Sequence, residues 1–290
     1  MDYSNLDAFF MQYIVYKTSK PVNSRQLYNS FVKLFKDSGY SQENILKELR
    51  YYAEIFGAFV YGSDKYSDRI NKLLYRLRVL NQTTCYPFLL HVFDDYHQGV
   101  ITEETVEKIL QFILAYLLRR MVCGVPSNTL RGLFTYLYNR IFKVASNKQK
   151  YYETLNKFLF TVSSKDVIPS AAEFERALQK ANIYGNNALC RFLLLDIENG
   201  DGKEILQAEN LTIEHIMPQT LSADWSHIRP EEHEEYLHTL GNLSVTGYNS
   251  ELSNKSFAEK QDIIRENSKA VILNSDVLDK ESWNVADIQA

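Results

Sequence analysis

The amino-acid sequence predicts a mainly α fold, with an α-helical domain over residues 1–202 and a smaller unit over residues 203–290. Apolar residues recur at helical spacing through the first two hundred positions, and strand-like alternation is scarce there. Two short strands are predicted only after residue 210. A turn cluster, Asn199-Gly-Asp-Gly202, separates the two regions and marks the predicted domain boundary.

The helices are predicted from capping residues and from apolar periodicity. Ser24 is a favourable N-cap for a helix over 25–37, and Gly39 suits the left-handed position that ends it. Ser41 begins the next predicted helix. The remaining predicted helices of the domain include 102–121, 128–143, 148–162, 171–180 and 187–198.

Composition excludes several classes of protein. Of the 290 residues, 45% are hydrophobic and 13% are aromatic, which is enough to fill a core and argues against disorder. The longest apolar run, near 109–118, is too short to span a bilayer, and no signal peptide follows Met1. Three widely spaced cysteines predict neither a disulfide framework nor a zinc site. We therefore expect a cytoplasmic protein without a membrane partner.

The pair Glu214-His215 is the most informative feature of the chain. The β-branched residues Ile213 and Ile216 flank it and predict a strand over 211–217, which Pro218 should end. A carboxylate is a hard oxygen ligand for a divalent cation such as Mg²⁺ or Mn²⁺. A histidine titrates near neutral pH and can act as general base. The pair therefore predicts metal-assisted hydrolysis of a phosphodiester bond.

The segment after residue 240 completes this pattern. It predicts a second strand over 240–246 and a helix over 250–261. Asn242 is expected to hydrogen-bond across the hairpin, and Asn249 to cap the helix and offer an oxygen to the metal, with Asn254 as the competing ligand. Each residue alone is more often structural, but together they indicate a nuclease site. The order strand, loop, strand, helix is that of a ββα-metal unit of the HNH, or His-Me finger, type.

Three runs carry a resemblance to a known family: Ile213-Glu-His-Ile-Met-Pro-Gln219, His238-Thr-Leu-Gly-Asn-Leu-Ser-Val-Thr246 and Asn249-Ser-Glu-Leu-Ser-Asn-Lys-Ser-Phe-Ala-Glu-Lys260. They resemble the C-terminal nuclease domain of GmrSD-type restriction endonucleases. Residues 116–128 resemble the helical region that precedes this domain, so that the resemblance spans about 108–290.

The resemblance implies a DNA endonuclease that restricts modified foreign DNA, such as phage DNA. It implies His215 as general base, Glu214 and Asn249 as metal ligands, and Asn242 as the residue that orients the hairpin. Many HNH proteins carry Asp where this chain has Glu214. Full-length members also carry an N-terminal nucleotide-sensing domain with a Gly-Gln-Gln-Arg-type motif, which this sequence lacks. We therefore expect the chain to be the C-terminal part of a larger protein, with that domain or subunit as its partner.

Net charge does not indicate DNA binding, because the chain carries a formal charge of -4. Residues 108–150, however, contain eight basic residues and no acid, which predicts a phosphate-contacting surface or a helical face that pairs with acids elsewhere. Arg119 and Arg120 are open to a purely structural role. The candidate phosphate contacts are His238, Lys260, Arg119, Arg120, Arg131 and Arg140.

Two alternatives remain open at the level of sequence. The chain could be a helical protein- or nucleic-acid-binding regulatory module that carries a degenerate nuclease fold. RNA is an alternative substrate, because the metal chemistry does not depend on the sugar.

Overall fold

The computed structural model describes residues 3–36, 38–162, 165–200, 206–207, 211–246 and 252–290. The chain divides into two compact units. Unit 1 comprises Met1–Arg120 with Pro126–Ile168, and unit 2 comprises Met121–Val125 with Pro169–Ala290. The predicted boundary at 199–202 lies partly outside the described residues, and the predicted domains of 1–202 and 203–290 stay predictions.

Most of the helices lie in the first part of the chain. They are α1 (Tyr3–Thr18), α2 (Leu27–Lys36), α3 (Gln42–Tyr61), α4 (Asp68–Val79), α5 (Tyr86–His97), α6 (Glu103–Val122), α7 (Leu130–Phe142) and α8 (Tyr151–Thr161). In the described part of the chain, no helix is both long and apolar enough to cross a membrane.

Unit 2 contains helices around one small sheet. Its elements are α9 (Ala171–Lys180), α10 (Asn187–Asn199), β1 (Thr212–His215), α11 (Pro230–Tyr236), β2 (Leu243–Thr246), α12 (Phe257–Asn267), α13 (Val271–Asp279) and α14 (Val285–Gln289). The two strands pair antiparallel, with His215 opposite Leu243 and Glu214 opposite Ser244. The prediction of a mainly α fold is confirmed.

Two predicted boundaries around the hairpin are wrong. The second strand begins at Leu243 instead of residue 240, because Leu240–Asn242 forms a short 3-10 helix. Helix α12 begins at Phe257 instead of residue 250, because its N-cap is Ser256 and not Asn249. The hydroxyl of Ser256 accepts from the Glu259 backbone N–H, and the Glu259 carboxylate accepts from the Ser256 N–H at 2.9 Å. This reciprocal pair is a capping box.

Aromatic residues build the core of unit 1. Phe88 and Phe93 of α5 are fully buried, and a buried carboxylate, Asp95, lies on the same helix. Asp95 accepts hydrogen bonds from the hydroxyl of Tyr138 at 2.7 Å and from the ammonium of Lys148 at 2.7 Å. The half-buried Tyr138 thus places its hydroxyl on a buried polar partner.

The core of unit 2 lies under the hairpin. It includes Ile216 and Met217, which follow β1, together with Trp225 and Ile264. Trp225 is fully buried, and its indole N–H donates to the backbone oxygen of Lys255 at 3.0 Å. The apolar residues after β1 thus anchor the loop that carries the histidine motif.

Gly241 is required because the C-terminal helix approaches it closely. A methyl group added at Gly241 would lie 1.9 Å from the backbone oxygen of Ile288 in α14.

We expect Gly241→Ala to lower the free energy of unfolding by about 1–3 kcal/mol, because α14 must shift. Chemical denaturation measures the effect. The control is Gly132→Ala in α7, where the added methyl group meets no atom within 4 Å. That change is expected to be neutral or stabilising, and equal losses for both variants would contradict the prediction.

Candidate active site

His215 is the last residue of β1, and its side chain is only 4% exposed. Its Nε2 lies 3.1 Å from Nδ1 of His238, and its Nδ1 lies 3.4 Å from the amide nitrogen of Gln219. Burial, followed by the charges of His238, Lys260 and His233, lowers the pKa of His215 to about 4. The imidazole is therefore neutral at pH 7, with one ring nitrogen able to accept a proton.

His238 stands beside His215 and belongs to the loop before the 3-10 helix. Its ring is stacked on that of Tyr184, with the centroids 5.2 Å apart. The Tyr184 ring also meets His215 edge-on at 4.4 Å. Burial, followed by the nearby His233, lowers the pKa of His238. Three aromatic rings thus form one cluster at the end of β1.

Asn242 joins the two ends of the loop between the strands. It is fully buried, and its side-chain oxygen accepts from the Met217 N–H at 2.7 Å. Its amide nitrogen donates to the backbone oxygens of Met217 at 3.0 Å and Leu237 at 2.9 Å. These are the cross-hairpin hydrogen bonds that we expected of Asn242. They hold the backbone directly after His215 in one conformation.

Lys260 does not occupy the position that the sequence predicted. Its side chain is fully buried, and its ammonium donates to the backbone oxygen of His215 at 2.8 Å. It lies 5.8 Å from the ring centroid of Trp225. Burial lowers the pKa of Lys260 to about 8, while the Glu214 carboxylate acts in the opposite direction. Lys260 therefore holds the histidine backbone, which corrects the expectation that it contacts the scissile phosphate.

Glu214 precedes His215 on β1 and is half-buried. The other proposed ligands are less informative. Asn249 lies outside the described residues, and Asn254 is exposed, with its side-chain oxygen 3.4 Å from the Thr220 N–H. Within the described ranges, no three His, Cys, Asp or Glu side chains come together to hold a metal ion. The metal ligands and the choice of Mg²⁺ or Mn²⁺ stay predictions.

The hairpin, the histidine cluster and α12 all lie within one segment of sequence that has known relatives. Residues 168–290 match the family model of the GmrSD restriction endonuclease C-terminal domain. The resemblance that the motifs predicted is confirmed for this segment. No curated protein matches the chain.

The match relates residues 168–290 to the C-terminal domain of restriction endonucleases. It begins at residue 168, so the resemblance that we described for residues 108–167 stays a prediction. The histidine motif, Asn242 and Lys260 all lie inside the matched segment. Sequence similarity and the local geometry therefore point to the same part of the chain.

The basic tract lies outside the GmrSD match, and its residues have different environments. Arg120 is 1% exposed and donates to the backbone oxygens of Lys165 and Pro126. These contacts support the structural role left open for Arg120 and correct its assignment as a phosphate contact.

Arg131 is exposed and donates to the backbone oxygen of Val22. The exposed Arg140 lies 5.3 Å from the Phe158 ring. Arg119 is half-buried and engaged in an interaction. DNA contact by Arg119, Arg131 or Arg140 stays a prediction.

Tyr184 is a residue of the histidine cluster that the sequence did not predict. It lies in the loop between α9 and α10, far from the histidine motif along the chain. The Asn182-Ile-Tyr-Gly-Asn-Asn187 run signals a turn, but no spacing connects it with His215. Gly241 was quoted as part of a motif, and its physical reason, the close approach of α14, becomes visible only in three dimensions.

Proposed function

We propose that this chain hydrolyses DNA phosphodiester bonds in a reaction that depends on a divalent metal. The observation that carries the proposal is His215: a buried, neutral imidazole, held through its backbone by Lys260 and lying within the GmrSD match. By family, the biological role is modification-dependent restriction of foreign DNA. The chain acts as the effector part of that system, with a nucleotide-sensing domain or subunit as its partner.

In this proposal His215 removes the proton from the attacking water. Its Nδ1 can accept that proton because Nε2 is directed to His238. Asn242 and Lys260 do not touch the substrate. They fix the peptide units that follow His215 through hydrogen bonds to the His215 backbone oxygen and to Met217. A base held in this way is already in the orientation that the reaction requires.

The donor chemistry of Glu214 fits a hard divalent cation. Its carboxylate is half-buried and adjacent to the base on β1. Glu214 would hold the cation together with Asn249 or Asn254. The bound cation would supply Lewis-acid stabilisation of the negative charge that develops on the phosphate.

Plasmid nicking tests the proposal directly. The purified chain is incubated with supercoiled plasmid and Mg²⁺ or Mn²⁺, with EDTA as the metal-free control. We expect nicked or linear DNA only with metal. A parallel competition with structured RNA separates the two substrates. Preferential cleavage of the RNA would identify RNA, and not DNA, as the substrate. Absence of cleavage of either would favour the regulatory-module alternative.

Glu214→Gln is expected to shift the Mg²⁺ requirement upward, because a neutral amide is a weaker ligand than a carboxylate. Titration of Mg²⁺ against the cleavage rate measures the shift. Asn249→Ala and Asn254→Ala, assayed in parallel, identify the second ligand. A shift with Asn254→Ala alone would select Asn254, whereas an unchanged Mg²⁺ dependence of Glu214→Gln would remove Glu214 from the metal site.

A further inference from the structure

We propose that His238 is a positioning residue that, together with Gln219, holds His215 in the tautomer with its hydrogen on Nε2, so that Nδ1 of His215 is the basic atom. The consequence for catalysis rests on the nuclease function proposed above. The assignment of the tautomer does not, because it follows from hydrogen bonds within unit 2.

The two ring nitrogens of His215 face different partners. Nε2 faces Nδ1 of His238 at 3.1 Å, and a single hydrogen atom must lie between them. Two arrangements satisfy this contact: His215 donates from Nε2, or His238 donates from Nδ1. The contact alone does not choose between them.

The other ring nitrogen of His215 lies beside a hydrogen-bond donor. The side-chain amide nitrogen of Gln219 lies 3.4 Å from Nδ1 of His215, and an amide N–H is a donor only. Nδ1 of His215 is therefore the acceptor. In a neutral imidazole the remaining nitrogen carries the hydrogen, so Nε2 of His215 donates to Nδ1 of His238. The lone pair of His215 therefore lies on Nδ1, where it faces the amide of Gln219, an exposed side chain that an attacking water would have to displace.

His238 is itself held in place. Its backbone oxygen accepts hydrogen bonds from the Ile183 N–H at 2.9 Å and from the Tyr184 N–H at 3.3 Å. The Tyr184 ring lies parallel to the His238 ring, with an interplanar angle of 9°. The loop between α9 and α10 therefore fixes both the backbone and the ring of His238. A fixed acceptor is what the orientation of a catalytic histidine requires.

This role differs from the phosphate contact that the sequence suggested for His238. A phosphate contact strengthens substrate binding, so its loss raises KM and reduces the salt dependence of binding. A positioning residue acts through His215, so its loss lowers kcat and leaves KM unchanged. Replacement by asparagine separates the two roles further. Asparagine carries an acceptor oxygen at the same number of bonds from Cβ as Nδ1 of histidine.

The experiment combines NMR and kinetics on the full chain. Long-range ¹H–¹⁵N correlation of the His215 ring is recorded for the wild type, His238→Asn and His238→Ala at neutral pH. We expect the Nε2–H tautomer in the wild type and in His238→Asn, and a mixture of tautomers in His238→Ala. We expect kcat to fall by about 10- to 100-fold in His238→Ala, with KM unchanged, and to recover largely in His238→Asn. The control is His227→Ala, which removes an exposed histidine outside this cluster.

Each failure has its own meaning. An Nδ1–H tautomer in the wild type, or an unchanged tautomer in His238→Ala, would overturn the inference. A raised KM with unchanged kcat in His238→Ala would show that His238 contacts the phosphate and does not position His215. If the wild-type protein cleaves no nucleic acid, the proposed function fails, and the NMR comparison still decides whether His238 positions His215. Should His238→Ala not fold, His238→Leu, which keeps bulk beside Tyr184 but carries no acceptor, takes its place.

Discussion

His215→Ala is expected to abolish phosphodiester cleavage while the protein remains folded and continues to bind DNA. The loss of a general base typically costs about 100- to 10,000-fold in rate. The fold should persist because Lys260 contacts the backbone oxygen of His215 and not its ring. Asn242 likewise contacts the backbone of the following loop. Both sets of hydrogen bonds survive truncation of the imidazole.

The measurement is the rate of plasmid nicking by purified protein, with circular dichroism to verify folding and a gel-shift assay to verify DNA binding. His227→Ala serves again as the matched control, since it removes an exposed histidine from the loop that follows β1. Full cleavage by a folded His215→Ala protein would rule out His215 as the base. Equal losses in both variants would point to a general effect on folding.

The elements that the sequence predicted well are those with local signals. Ser41 was expected to begin a helix, and another helix was predicted over 171–180. The hydroxyls of Ser41 and Ser170 each accept from the backbone N–H three residues later. Capping is a contact between near neighbours in sequence, so it can be read directly from residue type. The first strand was likewise predicted from Ile213, Ile216 and Pro218, and β1 lies within the predicted span.

The elements that were mispredicted depend on the choice between competing local signals. Asn249 and Ser256 are both good N-cap residues, and the prediction placed the start of the helix at Asn249. Ser256 is followed three residues later by Glu259, which completes the capping box, and the helix begins there. Near the start of the chain, Ser24 was expected to be a cap, but Asn23 caps a short 3-10 helix before α2. The competing residues are one position apart.

The parts of the site that could not be predicted depend on tertiary contacts. Lysine is almost never fully buried, so the position of Lys260 beneath His215 contradicts the usual expectation for its residue type. The stacking of Tyr184 on His238 joins a loop between two helices to the loop between two strands. Neither contact has a signature in spacing or composition. Both require the chain to be folded before they can be recognised.

Asn242 is expected to have the largest effect on stability. Asn242→Ala removes one acceptor and two donated hydrogen bonds in a fully buried position. The Met217 N–H and the backbone oxygens of Met217 and Leu237 would each lose a partner. A buried polar group without a partner costs about 1–3 kcal/mol, so the free energy of unfolding should fall by at least about 3 kcal/mol. Urea denaturation, monitored by tryptophan fluorescence, measures it, because Trp225 and Trp283 both belong to the core of unit 2.

Two further variants separate hydrogen bonding from the loss of volume. Asn242→Asp keeps the shape and the acceptor for the Met217 N–H but places an oxygen against the carbonyl groups of Met217 and Leu237, so it should destabilise the protein at least as much as alanine does. The matched control is Asn254→Ala, since Asn254 is exposed and makes one long contact of 3.4 Å to Thr220. Its effect should stay within about 0.5 kcal/mol. If Asn242→Asp were as stable as the wild type, the donated hydrogen bonds could not be what holds the loop after His215, and the support for the catalytic histidine would have to come from Lys260 alone.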